Sequence, residues 1–366
     1  MIVDKIVGLI PGGKPTRERL DEVFHQASRP DQIVEFDDTS RIIIMSDSHR
    51  GDGTWSDDFA QNAALFNFAL NYYDDNDYIY IEAGDGDELW ENPDFAAIRE
   101  FHHRVFDTMV RFHQHDRFYL MWGNHDIERQ DPDLLNRQLA TYRDQRERDE
   151  QGNPKEKRLF GPITAREGIV LQHRQTGQRF FIVHGHQGGG VNDENWRIGR
   201  LAVRYFWSRL QFLGVHDPTR PSQNVREQRE VENKIVDWIC ENRQPVICGH
   251  THRSAFPLKN GIPYFNTGSS VFPRLVTGIE IVGGQIALVG WEAMPDDRGV
   301  VRYCRVGGVG GDDVRCFPPG ELETKTRVPI EDFTPVAIEE FSPENDAAWG
   351  DCATVTAKTE FRSRGM

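Results

Sequence analysis

Five short apolar runs in this chain each end in a knot of Asp, Asn and His residues, and that rhythm constrains the fold more than any other feature. Ile42–Met45 runs into Ser46-Asp47-Ser48-His49, and Tyr78–Ala83 into Gly84-Asp85-Gly86-Asp87-Glu88. Phe118–Trp122 leads to Gly123-Asn124-His125-Asp126, Phe180–Val183 to His184-Gly185-His186, and Val246–Cys248 to Gly249-His250-Thr251-His252. Short continuous runs of β-branched and aromatic residues are expected of buried strands. Between the first two runs, Phe59, Ala63, Phe66, Leu70 and Tyr73 fall on one helical face. A second helix is expected after Asn92-Pro93, with Ile98, Val105, Met109 and Phe112 inward. Strand–helix–strand alternation implies a largely parallel arrangement. Two hairpins are expected as well, Ile169–His173 with Arg179–Val183 and Ile279–Ile281 with Ile286–Val289. The predicted fold class is α/β with antiparallel pieces and two sheets.

Composition narrows the function classes. A hydrophobic fraction of 38% excludes a disordered chain. No apolar stretch approaches the ~20 residues of a membrane span. Met1–Ile10 is interrupted by Asp4 and Lys5 with no small-residue cleavage site after it, which argues against a secretory leader. The five cysteines are odd in number and scattered, as expected of reduced thiols in a cytoplasmic protein. A net charge of −15 disfavours nonspecific nucleic-acid binding. The oligomeric state is not fixed by any of this.

The organisation expected is a main domain over residues 1–294 and a Gly- and Pro-rich C-terminal appendage over 295–366. Residues 127–158, dense in both charge signs, form an insertion expected at the surface and part helical. Residues 190–242 form a helical cap candidate. Within it, Trp196, Leu201, Tyr205 and Phe212 make an apolar stripe and Arg197, Arg200 and Arg204 line another face, a pattern expected either of an ordinary amphipathic helix on the core or of a cap whose Arg200 and Arg204 grip an anionic substrate. A membrane-surface role for this segment is disfavoured by the acidic balance. The helix pattern recurs over Val225–Cys240. His102, His103, His113 and His115 are expected on a solvated helix face, and His173 in a structural role.

The five polar knots have the composition of a metal site. Strand ends in an open α/β sheet share one crevice, so the knots can converge. D-x-H and H-x-H spacings on extended backbone point both side chains to one face. Asp, Asn and His without cysteine suit Mn²⁺, Fe or Zn²⁺. Seven ligand candidates exceed one tetrahedral shell, so two metals about 3.5–4 Å apart are expected.

In this order the blocks resemble the calcineurin-like metallophosphoesterase superfamily, whose pattern is D-x-H, G-D-x-x-[D/E/N], G-N-H-[D/E], a His followed by Gly, and G-H-x-H. The resemblance covers roughly Ile42–Trp291. It implies two mixed β-sheets sandwiched between helices and a dinuclear centre, with Mn²⁺ favoured. It places Asp47, His49 and His252 on one metal, Asn124, His184 and His250 on the other, and Asp85 between them. It assigns His125 to the leaving group and Asp126 to orienting His125. It implies hydrolysis of a phosphodiester, phosphomonoester or diphosphate in a small organic phosphate by attack of a metal-bridging hydroxide. Gly84-Asp85-Gly86-Asp87-Glu88-Leu89-Trp90 most resembles the G-D-x-x-E-x-W block of the UDP-diacylglucosamine hydrolases, from which the chain departs at Asp47-Ser48-His49-Arg50 and in length. Arg50, Glu88 and His186 adjoin ligand candidates and are expected to reach substrate. A protein phosphatase, a nuclease and a non-catalytic metal-binding module are the alternatives.

Overall fold

The computed structural model describes residues 14–188, 225–257, 261–308, 314–317, 336–345, 349 and 352. The first half alternates strand and helix: α1 (Thr16–Ala27), β1 (Val34–Phe36), β2 (Arg41–Met45), α2 (Ala63–Asp75), β3 (Ile79–Ala83), α3 (Phe95–Phe101), α4 (His103–Gln114) and β4 (Phe118–Met121). After a 3₁₀ turn at Ile127–Gln130 come α5 (Pro132–Leu139), β5 (Thr141–Arg148), β6 (Pro154–Arg158), β7 (Ala165–Arg166), β8 (Gly168–His173) and β9 (Arg179–Val183). The chain continues through α6 (Val225–Asn242), β10 (Val246–Cys248), β11 (Tyr264–Asn266), β12 (Leu275–Val282), β13 (Gln285–Pro295), β14 (Val301–Gly307), β15 (Val314–Phe317) and β16 (Val336–Ala337).

The strands form two large mixed sheets. One runs β15-β14-β13-β12-β2-β3-β4-β7, with β16 on β13; the other runs β1-β8-β9-β10-β11. In the first, β2, β3, β4 and β7 are parallel and β12 joins β2 antiparallel. In the second, β8 and β9 form the expected hairpin while β10 lies parallel to both β9 and β11.

The apolar runs are continuous because both faces of each strand are covered. Along β2, Ile43 and Met45 face one core with α2 and α4, while Ile42 and Ile44 face the other sheet. Along β9, Phe180 and Ile182 enter the intersheet core, and Phe181 and Val183 pack under α1 and α6. The layers are therefore helix, sheet, sheet, helix. In α2 the helix starts at Ala63, so Phe59 is buried in the core from the preceding turn.

Several expectations are corrected. The 294/295 boundary falls inside β13, and β14 extends the same sheet by pairing along β13. Ile338 and Phe341 reach the intersheet core. Appendage residues therefore complete the layers instead of lying outside them. The 127–158 insertion carries an antiparallel β5–β6 hairpin besides its helix. His102 is buried and held at 2.7 Å by Asp57, so it does not lie on a solvated face. Cys240 and Cys352 are joined by a disulfide, and Cys304 is also disulfide-bonded, while Cys248 is a buried free thiol. The scattered spacing hid the Cys240–Cys352 pair that the fold brings together, so the expectation of reduced thiols, and the reducing cytosol read from it, loses its ground. Among the described residues no helix is long and apolar enough to cross a membrane. Arg200 and Arg204 lie outside the described residues, as does the cap candidate apart from α6.

Candidate metal centre

Each polar knot sits where a strand ends, and hydrogen bonds between the ends lock the knots together. Asp47 N donates to Gly84 O, and His49 N to Asp85 O. Asp47 carboxylate oxygens accept from His250 N at 2.9 and 3.1 Å, while Asp85 Oδ1 accepts from His125 N at 2.8 Å. Asp47, His49, Asp85, His250 and His252 all adopt positive φ, at 51°, 47°, 51°, 66° and 57°. Left-handed backbone costs a non-glycine residue about 1–2 kcal/mol. Such strain persists where the surroundings over-determine it, and it concentrates at functional sites. Gly123 and Gly249 allow the close approach: a Cβ on the first would strike Asp85 Oδ1, and on the second Asp47 Oδ2.

The side chains converge. Asp47, His49 and His252 form one group whose ligand atoms lie within 4.8 Å of one another, and Asp85, His184 and His250 form another. His49 Nε2 is 3.0 Å from His252 Nε2 and 3.7 Å from Asp85 Oδ2, so His49 faces both groups. His252 Nε2 lies 3.2 Å from Asp47 Oδ1. His184 donates through Nδ1 to Ala83 O at 3.0 Å, and its Nε2 lies 3.0 Å from Asp85 Oδ2. Asn124 Oδ1 is buried without a hydrogen-bond partner.

Electrostatics follow from the crowding. Burial raises the Asp47 carboxyl, but the facing His252 and His184 outweigh it and hold it well below the usual carboxylate range. Asp85 is likewise held down against burial, by His184 and His125. Burial and the neighbouring His184 push His250 down to about 3, which keeps it a neutral donor. For His184, burial is overcome by Asp85 and Asp47, which raise it to about 9.

These residues fit divalent cations. Two ionised carboxylates, the imidazoles of His49, His184, His250 and His252, and the unpartnered Asn124 Oδ1 are donors of the kind divalent cations take, and a cation would displace the protons that the carboxylates now hold on the rings. A sequence model of calcineurin-like phosphoesterases matches residues 40–254, more than half of the chain.

The chain belongs to the calcineurin-like phosphoesterase family.

The solved structure of vacuolar protein sorting 29 from Cryptosporidium parvum is similar over 74% of this chain and 97% of its own, at 14% identity and a TM-score of 0.35. No curated protein matches this phosphoesterase-family chain.

Within the phosphoesterase site, three expected residues do other work. Arg50 does not reach the crevice. It is fully buried, donating to Glu82 at 2.7 and 2.9 Å and to Asp87 at 2.6 Å, so no face remains for a substrate phosphate. Asp126 does not touch His125. Its carboxylate accepts from Gly123 N at 2.7 Å and Gly86 N at 3.0 Å and pairs with Arg129, bracing the second and third knots against each other. Burial, against the pull of Arg129, pushes Asp126 up to about 6. His186 is buried beside Trp122 and His184, with neither ring nitrogen partnered, so it does not meet substrate from solvent.

Glu88 takes the place expected of Asp126. Its carboxylate accepts from His125 Nδ1 at 2.8–2.9 Å and from His49 Nδ1 at 3.0 Å, and it is buried behind both rings. Trp90 stacks on His125 with ring centroids 4.8 Å apart. Sequence reasoning missed Glu82 and Arg129, which complete the buried network Arg50–Glu82–Asp87–Arg129–Asp126. Their signals were a lone charge inside the apolar run Ile79–Ala83 and an arginine one turn after Asp126.

Proposed function

We propose that this chain is a metal-dependent phosphoric ester hydrolase acting on a small organic phosphate. The observation that carries the proposal is the convergence of two carboxylate–imidazole groups, Asp47–His49–His252 and Asp85–His184–His250, joined where His49 Nε2 comes within 3.7 Å of Asp85 Oδ2. Divalent cations held by Asp47, His49, Asp85, Asn124, His184, His250 and His252, two in number with Mn²⁺ favoured, would supply Lewis acidity and activate water near neutral pH.

The remaining steps belong to side chains of this protein. Glu88 accepts the Nδ1 protons of His49 and His125, so both rings are held in the tautomer that turns Nε2 outward. For His49 the outward atom is a lone pair, suited to ligation. For His125 it is the atom that, when protonated, donates to the oxygen leaving phosphorus. The Glu88 carboxylate faces His125 Nδ1 from behind the ring through that transfer. Trp90 fixes the ring plane from one side. The Arg50–Glu82–Asp87–Arg129–Asp126 network sets the loops that carry Asp85 and His125 and supplies no substrate contact. A non-catalytic binding module is disfavoured because every expected donor residue is present, six of the seven buried and His252 half-buried.

The test is hydrolysis of bis-p-nitrophenyl phosphate by the full chain after chelation and Mn²⁺ return. Asp85→Asn should lower the restored activity by about a hundredfold or more. Turnover near that of the unsubstituted chain, with metal content unchanged, would remove Asp85 from the centre and the proposal with it.

A further inference from the structure

A cavity of about 750 Å³ lies outside the metal centre, between α3, α5 and the β5–β6 hairpin. That volume is within the range of small-molecule sites. Its inner wall holds Arg99, which is 2% exposed. Arg99 Nη2 donates to Asp107 at 3.0 Å, and the Tyr142 ring covers the guanidinium with its centroid 3.3 Å from Cζ. Arg99 Nε and Nη1 are buried and have no hydrogen-bond partner. Gln138 lines the same cavity; its Nε2 is bound to Glu128, and its Oε1 is also unpartnered. Arg137 and Arg143, both exposed, line the cavity with it.

Orphaned polar atoms are costly when buried, about 1–3 kcal/mol for each unmade bond and more for a charged group. Here orphaned donors on a cation and an orphaned acceptor line one concave site. Three acids line it as well: Glu156 accepts from Thr141 at 3.0 Å, Asp94 caps α3, and Glu100 is half-buried, so the three arginines match them in number and the orphaned guanidinium nitrogens decide the preference. The cavity therefore asks for an anion that also carries a hydrogen-bond donor.

We infer that this cavity is a second binding site, for a phosphorylated small molecule bearing a hydroxyl next to its phosphate. Arg99, Arg137 and Arg143 hold the phosphate oxygens, and Gln138 Oε1 accepts from the hydroxyl. The Tyr142 ring, which covers the guanidinium, turns aside as the ligand enters. The site is independent of the hydrolytic centre, and its occupancy does not depend on metals.

Calorimetric titration of the full, Mn²⁺-loaded chain with hydroxymethylphosphonate, which has no ester bond to cleave, tests this. Methylphosphonate is the control lacking the hydroxyl. Asp85→Asn, which disables the metal centre, should retain one hydroxymethylphosphonate site. Arg137→Glu with Arg143→Glu, at exposed positions that the fold tolerates, should weaken that site by roughly tenfold or more. Methylphosphonate should bind the same site more weakly than hydroxymethylphosphonate. If Asp85→Asn abolishes all binding, the only anion site is the metal centre and the inference fails. It fails equally if the double arginine variant binds as tightly as the unsubstituted chain, because the cavity then holds water alone.

Discussion

Replacing Glu88 by glutamine tests how two histidines with different duties depend on one buried carboxylate. The change keeps the side-chain volume and removes the charge. A carboxylate accepts from both Nδ1–H groups, whereas an amide offers one oxygen and one NH₂. One of the two rings therefore meets a donor and must move its proton to Nε2. If His49 flips, a metal lone pair is lost; if His125 flips, its neutral form persists and the imidazolium loses its counter-charge. Loss of an outer partner of a metal ligand costs about 10–100-fold. Loss of general acid catalysis costs about 10²–10⁴-fold, felt only where the leaving group needs a proton. Glu88→Gln should therefore lower kcat by about 10–100-fold on bis-p-nitrophenyl phosphate, and by about tenfold more on an alkyl diester. Both substrates are assayed with Mn²⁺ in excess, and bound metal is measured in parallel. Activity within about threefold of the unsubstituted chain on both substrates would refute the orienting role of Glu88. An equal loss on both, with metal content intact, would refute the acid role of His125.

Further outcomes follow from the same geometry. Arg50→Met leaves Glu82 and Asp87 buried without their cation, and should cost about 3–5 kcal/mol in denaturant unfolding while KM of the folded fraction stays unchanged; a raised KM at unaltered stability would return Arg50 to the substrate. Asp74 is held below its ordinary value of 3.8 against burial by hydrogen bonds from Arg111 and Arg117 at 2.6 Å. A carboxyl depressed in the folded state stabilises above its unfolded pKa and loses that contribution as pH falls through the folded one. Asp74→Asn should thus destabilise by about 1–2 kcal/mol at pH 7, discounted for the part-exposed Arg111, with the difference beginning to shrink as pH falls below 3.8 and gone once the lower folded value is passed; a difference independent of pH would contradict the ion-pair account. Cys240→Ser should lower the thermal midpoint measured without reductant and leave the midpoint in reductant unchanged, since the Cys240–Cys352 bond closes a long segment; equal midpoints without reductant would show the bond absent in solution.

The layers and the meeting of the polar knots were legible in the sequence for one physical reason. Strands buried on both faces need unbroken apolar runs, and side chains at the ends of neighbouring strands share one crevice, so Asp47, Asp85 and His250 could be expected to come together from their positions. Direction was not legible. Arg50 follows His49 directly, but its backbone bridges Asp87 and its side chain turns back to Glu82 inside the layer. Asp126 adjoins His125 yet faces the opposite way, so adjacency misassigned the partner that Glu88 supplies from another strand end. The dense charge of 127–158 suggested only surface, while Arg129 within it is 2% exposed because carboxylates from two other knots enclose it. Cys240 and Cys352 are 112 residues apart, and only the packing of Trp349 and Cys352 with Trp238 brings them together.

The most direct measurement of the central claim is metal content against turnover. Mass spectrometric metal analysis of the purified full chain, paired with phosphodiester hydrolysis, is followed through chelation and Mn²⁺ titration. The account predicts about two metal ions per chain, activity lost as they leave, and activity regained as they return. A chain that hydrolyses the ester equally well when stripped, or that takes up no metal, would contradict it.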